Sequence, residues 1–109
     1  MLMINGTHIS LTRGDSARLN LKLNNPDGTE YELQDGDKVT LTIKKGVYAS
    51  EKLFSVDLED GSFFIPAGTT SEWDFGNYVY DVQLSSRGGV VDTLIVSTIT
   101  LTPEVNVNE

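Results

Sequence analysis

The stretch GNYVYDVQLSSRGGVVDTLIVSTITL, residues 76–101, decides the fold. Within Asn77–Ser86, apolar residues occupy every second position, and this period of two predicts a strand that is buried on one side. Arg87-Gly88-Gly89 can supply the positive φ angles that a tight reversal needs. The return strand, Val90–Val96, is rich in β-branched residues and continues through Ile99 and Leu101. We therefore predict a long β-hairpin in the core of a β-sandwich.

Short segments with strand character, separated by turn residues, fill the rest of the chain. We predict strands at Met1–Ile4, Thr7–Leu11, Ala17–Asn24, Thr29–Leu33, Lys38–Lys45, Lys52–Leu58 and Ser62–Ile65. A single helical turn is expected at Thr69–Glu72. About seven to nine short strands with frequent turn signals indicate an all-β sandwich or flattened barrel. We assign residues 1–103 to one domain and expect residues 104–109 to form a loosely ordered tail.

The charge of the chain excludes some partners. Sixteen acidic residues against eight basic ones give a net charge of −8, which disfavours binding to nucleic acid and to anionic membranes. The chain has no cysteine, so we expect neither disulfides nor thiolate metal sites. The N-terminal residues lack the basic and apolar regions of a signal peptide, and no stretch is long and apolar enough for a membrane span. These features predict a soluble protein that is made in the cytoplasm.

Several polar motifs have both a functional and a plainer interpretation. Arg13-Gly14-Asp15-Ser16 spells the integrin-binding tripeptide, and the acidic stretches Asp35–Asp37 and Asp57–Gly61 could offer oxygens to Ca²⁺. All three are also ordinary turn sequences, and neither acidic stretch has the alternating carboxylates of a calcium loop. His8 is the only histidine, and neither a nucleophile elbow nor further zinc ligands accompany it. We interpret the motifs as turns and predict no catalytic residue, metal or cofactor.

The aromatic residues near the central hairpin have two interpretations. Trp73, Phe75, Tyr78 and Tyr80 could form a platform for a sugar. Tyr78 and Tyr80 share the apolar face of the predicted strand, however, and Phe75 is placed to pack at the strand's entrance. Trp73 lies between two acidic residues in a loop, and we expect it to be the most exposed of the four. We interpret the group as core or interface packing, with a carbohydrate site as the alternative.

The outward face of the central hairpin carries more apolar residues than a solvated face needs. Val79, Val91 and Ile95 are predicted to point away from the core. They either cover a second face of the sheet or form an interface with a partner. Together with Trp73 they are our candidate interface residues.

The order of the motifs resembles that of a known family. The segments Leu11–Ser16, Asp27–Lys45, Gly76–Leu84 and Gly89–Ile95 carry the likeness, which covers most of the chain. In this order and spacing they resemble small β-sandwich proteins from the tail and baseplate module of Firmicutes phages and prophages. The chain is similar to the N-terminal domain family of the phage baseplate upper protein.

The resemblance implies an assembly role without catalysis. In that family the domain attaches to the tail and assembles with copies of itself, while a separate downstream region contacts the receptor-binding protein. The sequence ends at Glu109 without such a region, so we expect a free-standing virion component or an accessory baseplate domain. The family has no catalytic residues, so none is transferred to this chain.

These observations lead to one prediction and one alternative. We predict an immunoglobulin-like antiparallel β-sandwich that is a non-enzymatic structural protein of a phage tail or baseplate. It would be located in the virion after synthesis in the host cytoplasm. Its partners would be other tail or baseplate proteins and copies of itself, in a homo-oligomer such as a trimer or hexamer. The alternative is a carbohydrate-binding or adhesin-like module that uses Trp73 and the Gly46–Glu51 loop.

Overall fold

The computed structural model describes residues 2–5 and 7–103, with side chains from Thr7 onwards. These residues form eight strands: β1 (Leu2–Asn5), β2 (His8–Thr12), β3 (Ala17–Asn20), β4 (Lys38–Lys44), β5 (Phe54–Asp57), β6 (Ser62–Ile65), β7 (Gly76–Ser85) and β8 (Val91–Thr102). No helix occurs among the described residues, so the prediction of an all-β chain is confirmed. The predicted tail, residues 104–109, lies outside the part of the chain that the structure describes.

The strands form two unequal sheets. The larger has six strands in the order β1-β2-β8-β7-β4-β5, and the smaller pairs β3 with β6. All pairs are antiparallel except β2 and β8, where Ile9 lies beside Ile99 in a parallel ladder. This order, with β3 and β6 crossing over to a second layer, is that of an immunoglobulin-like sandwich. The predicted fold class is therefore confirmed, with one parallel pair inside it.

The core lies between the two sheets and follows the alternation in the sequence. Its buried hydrophobic residues are Ile9, Leu11, Ala17, Leu19, Val39, Leu41, Ile43, Phe63, Ile65, Tyr78, Tyr80, Val82, Ile99 and Leu101. They come from six strands, and in most of these strands every second residue is buried. Each large side chain of this kind stabilises the fold by about 1.5–3 kcal/mol when it is fully buried. The smaller sheet therefore packs against one face of the larger sheet.

A tyrosine corner fixes the entry into β7. The hydroxyl of Tyr78 donates a hydrogen bond to the carbonyl oxygen of Asp74 at 2.7 Å, four residues upstream. A tyrosine near the start of this strand, bonded back to the preceding corner, is a hallmark of immunoglobulin-like sandwiches. The Trp73 ring lies 5.2 Å from the Tyr78 ring, measured between centroids, and so packs on the same corner.

Two predicted elements are wrong. Thr69–Glu72 does not form a helical turn. Residues 66–73 instead make separate four-residue turns, such as the one closed by Thr69 N–H and Pro66 O, and Gly68 has a φ of +88° that is not helical. Thr29–Leu33 is not a strand, since Glu30 makes only an isolated bridge to Asn24. The predicted strand Ala17–Asn24 ends early, at Asn20. Its partner β6 begins just after the Asp60-Gly61 reversal, so the ladder has no further strand to pair with.

A β-bulge reverses the facing of one end of β8. Val82 lies opposite Ile95, whereas the next residue, Gln83, lies opposite Thr93, so Leu94 is the extra residue. Residues directly opposite one another share a face of the sheet, and Val82 is in the core. Ile95 therefore faces inward and packs against the core, and the prediction that it points outward is wrong.

Candidate functional site

The β8 strand extends well beyond its neighbour on one side. β2 pairs only with Ile99–Thr102, while β7 runs alongside nearly the whole of β8. Among the described residues, none forms a strand beside Val91–Val96 on the β2 side. We call this gap, bordered by the backbone of Val91–Val96, the open row. It is as long as a short strand and lies in line with β2.

The backbone of β8 presents polar groups to the open row. Ser86 N–H donates to Val90 O at 2.8 Å, so the backbone polar groups of Val90 point toward the β7 side of the hairpin. Because this direction alternates along a strand, the N–H and C=O groups of Val91 and Thr93 point to the opposite side, away from β7. From the other end, Arg13 N–H donates to Thr102 O at 2.9 Å. The backbone N–H and C=O groups of Thr102 therefore point toward β2. By the same alternation, those of Val96 point toward the open row. Within residues 2–5 and 7–103, no strand pairs with the N–H and C=O groups that Val91, Thr93 and Val96 turn to the row, so these groups are offered to an incoming strand.

The side chains along the open row are unusually apolar for a sheet edge. The exposed fractions are 56% for Val91, 40% for Leu94 and 66% for Val96. Proteins usually protect such edges with lysine, proline or inward-pointing charges, and Asp92 is the single charged residue of the segment. The bulge at Leu94 supplies a second, partial protection. An exposed edge of this composition is suited to pairing with another strand.

An apolar cavity lies beneath the open row, between the two sheets. Its volume is about 110 Å³, and it is partly open to solvent. The lining includes Ile9, Leu21, Phe63, Tyr80, Val82 and Ile95, so both sheets contribute. Ile95 belongs to the row itself. Thr7 also lines the cavity, and it lies at the end of the row next to Ser97, which we call the lower end. The row and the cavity are therefore parts of one surface feature.

The lower end of the row is closed by polar contacts of Thr7. Its hydroxyl donates to Ser97 Oγ at 2.9 Å, and its carbonyl oxygen accepts a hydrogen bond from the Tyr80 hydroxyl. Burial raises the pKa of Tyr80 further above the neutral range, which is consistent with the phenol acting as the donor in this bond. Because Thr7 is held to both β7 and β8, an incoming strand would end at Ser97.

A second apolar feature lies on the outer face of the larger sheet. Val47, Val79 and Val96 surround a shallow depression of about 70 Å³ that Thr42, Lys44 and Asp81 also line. We call these three valines the valine patch. Val96 belongs to both features, because its backbone borders the open row and its side chain lies on the patch. The two features therefore form one continuous candidate docking surface.

The structure brings three of the four predicted interface residues near this surface. Val91 and Ile95 belong to the open row, although Ile95 faces the cavity, and Val79 lies on the valine patch. Trp73 lies at the opposite end of β7, beside the start of the strand. The prediction omits Leu94 and Val96, because their exposure depends on the bulge and on the short reach of β2. No local pattern in the sequence reports either one.

The aromatic residues differ from the expectation. Trp73 is half-buried and packs against the core, so the prediction that it is the most exposed of the four is wrong. Phe75 is the exposed one, at 46%, and the Arg13 guanidinium lies 4.0 Å from the centre of its ring. Arg13 also donates to Trp73 O at 3.3 Å. The corner is thus organised by packing and by a cation–π contact.

The remaining motifs are held in structural contacts. Gly14 N–H donates to Thr70 Oγ1 at 2.8 Å, which ties the Arg13–Asp15 turn to the corner before β7. Asp37 accepts hydrogen bonds from the Tyr31 hydroxyl and from Gln34 N–H, which closes its turn. His8 lies 2.6 Å from Thr98 Oγ1 on the outer face. Within the described residues, no group of three or more potential metal ligands occurs.

Comparison with known proteins adds no assignment. The chain matches no family model and no curated protein. Within residues 2–5 and 7–103 there is also no helix long and apolar enough to cross a membrane.

Proposed function

We propose that the protein is a non-enzymatic structural component of a phage or prophage particle, located in its tail or baseplate. It acts by docking to neighbouring virion proteins and by associating with copies of itself. The open row carries this proposal, because an unpaired sheet edge flanked by exposed aliphatic side chains is suited to protein partners. An oligomer, such as a trimer or hexamer, is the form expected in the particle.

Two further observations support the proposal. The chain's motif order resembles that of the baseplate upper protein's N-terminal domain, a domain that attaches to the tail and assembles with copies of itself. The net charge of −8 favours protein partners over nucleic acid or anionic membranes, because both of those surfaces attract basic residues. A rigid sandwich that presents an open row of this kind is sufficient for such a role.

The mass of the protein in solution, measured by light scattering over a wide concentration range, tests self-association. We expect oligomers in the wild-type protein and their loss in Val96→Lys, because a lysine there places a charge on the valine patch, through which copies of the chain would associate. The matched control is Ser16→Lys, which adds the same charge at an exposed turn near the opposite end of the larger sheet. A wild-type protein that stays monomeric at all concentrations, or equal association in both variants, would contradict self-association through the valine patch.

One observation favours the carbohydrate-binding alternative. Tyr48, in the Gly46–Glu51 loop, is fully exposed at 100%, and a planar ring offered in this way can stack on a sugar. Glycan screening of the wild-type protein and of Tyr48→Ala tests the alternative. Binding that disappears in Tyr48→Ala and persists in Val96→Lys would place the carbohydrate function first.

A further inference from the structure

We propose that the open row binds an extended, basic strand of another protein in antiparallel orientation to β8, with an aliphatic side chain of that strand inserted into the cavity between the sheets. This inference rests on the proposed docking function and names its partner. It combines two independent features that meet at Ile95: the unpaired backbone of β8 and the apolar cavity beneath it.

The cavity determines the central residue of the incoming strand. In a continuous sheet, the residue opposite Ile95 shares its face and therefore points between the two sheets. The cavity, at about 110 Å³, is smaller than the roughly 150 Å³ apolar cavity that is known to hold a benzene molecule. A branched aliphatic side chain such as isoleucine or leucine fits this space better than an aromatic ring does. A polar side chain at that position would lose its hydrogen bonds to water.

The charge of the row determines the neighbouring residue. Asp92 lies opposite Leu84, which packs against the core, so Asp92 is on the same face as Ile95 and is exposed beside the row. Asp81 lies opposite Val96 on the other face. Because Asp81 belongs to β7, the β8 strand separates it from an incoming strand, and a lysine or arginine at the level of Asp92 complements the nearer carboxylate.

The orientation follows from the stability of the ladder. Antiparallel pairs are slightly more stable for each residue than parallel pairs, so we expect the incoming strand to run opposite to β8. Because Asp92 precedes Ile95 in β8, an antiparallel partner carries its aliphatic residue first and its basic residue two positions later. A second copy paired through β8 would bring another Asp92 to the row, in a chain whose net charge is already −8. The partner is therefore a different protein.

Blocked synthetic hexapeptides can test the proposal on the 109-residue chain. The probe Thr-Ile-Thr-Lys-Thr-Thr carries the required order, and Thr-Lys-Thr-Ile-Thr-Thr has the same composition in the reverse order. We expect the first peptide to bind and to slow amide hydrogen exchange at Val91, Thr93 and Val96. Replacing its isoleucine by serine should weaken binding about ten- to hundredfold, which is the loss expected for one buried aliphatic side chain. Replacing its lysine by aspartate should weaken binding severalfold, and less so at high salt.

Two variants of the protein locate the site. Thr93→Pro removes an N–H that faces the row and leaves the ladder to β7 intact, so it should abolish binding of the peptide while the NMR spectrum stays that of a folded protein. Asp92→Lys should weaken binding of the lysine-containing peptide and restore binding of the peptide in which aspartate replaces that lysine. Binding that is unaffected by both variants, or that is equal for the isoleucine and serine peptides, would overturn the inference.

The outcomes also separate this inference from the proposed function. If the chain self-associates, Val96→Lys disrupts the oligomer and no peptide binds, the structural role stands and the basic-strand partner is wrong. If Thr93→Pro abolishes self-association, the open row is occupied by a second copy, which likewise overturns the inference. Slowed exchange at the three row amides with the forward peptide, and its absence with the reversed one, would establish it.

Discussion

Ile95 lies directly opposite Val82, and both side chains contact the core, whereas the next residue, Val96, is exposed at 66%. Because one side chain is packed and the other is exposed, truncating these two adjacent residues should change the free energy of unfolding by different amounts. Ile95→Ala should lower the free energy of unfolding by about 2 kcal/mol, at the low end for a buried isoleucine because Ile95 is only partly buried. Val96→Ala should change it by less than about 0.5 kcal/mol, as for other surface residues. Urea denaturation measures both, and equal losses would contradict the inward facing of Ile95.

Gly36 is predicted to tolerate no side chain. Its φ is +89°, and an added Cβ would lie 2.7 Å from the Cβ of Arg87 at the tip of the β7–β8 hairpin. Gly28 has a similar φ of +91° with open space around it. Gly28→Ala should therefore cost about 1 kcal/mol of stability from backbone strain. Gly36→Ala should cost about 1–3 kcal/mol more, because it also overpacks the contact with Arg87.

The contact between Gly36 and Arg87 can be isolated by a double variant. Arg87→Gly in the Gly36→Ala background removes the Cβ that the new methyl group meets, so the loss should fall to that of Gly28→Ala. Arg87→Ala should give little relief, because it keeps the Cβ. Thermal unfolding of Gly28→Ala, Gly36→Ala and the two double variants measures this difference. If the loss of stability persists in the Arg87→Gly double variant, backbone strain at residue 36 alone is responsible.

The tyrosine corner should contribute measurably to stability. Tyr78→Phe removes the hydroxyl that donates to Asp74 O but keeps the ring and its packing against Trp73. We expect a loss of about 1 kcal/mol in the free energy of unfolding, as for a typical part-buried hydrogen bond. The control is Tyr48→Phe, which removes a hydroxyl from a fully exposed ring and should have no effect. If the two variants lose the same amount, the corner bond does not stabilise the fold.

Alkaline pH should weaken the turn that precedes β4. The Tyr31 hydroxyl donates to Asp37 at 2.8 Å, and this bond to a carboxylate raises the pKa of Tyr31 above its usual value of 10.0. The stabilisation that it provides is complete below the pKa of the unfolded chain and is lost as the pH rises through the higher folded value. The stability difference between the wild-type protein and Tyr31→Phe should therefore vanish in strong alkali. Tyrosinate absorbance should show one late-ionising group fewer in the variant.

The sequence was sufficient to predict the fold class but not the interface. Alternation in Lys38–Lys44 and Gly76–Ser85 reports burial directly, because one face of each strand packs against the core. The facing of Ile95 depends on a bulge, and Leu94, Ile95 and Val96 are too alike for the sequence to show where the extra residue lies. The open row depends on where β2 ends beside β8. That pairing is set by tertiary contacts and has no local signal.

The parallel pairing of β2 with β8 also has a kinetic consequence. His8 contacts Thr98 across 90 residues, so this ladder forms only after nearly the whole chain has been brought together. The β7–β8 hairpin closes a loop of a few residues and can form early. During folding, the entire outer edge of β8 is therefore exposed for a time, including the part that β2 later covers. We expect slow folding, and strand-exchanged aggregates when the chain refolds at high concentration.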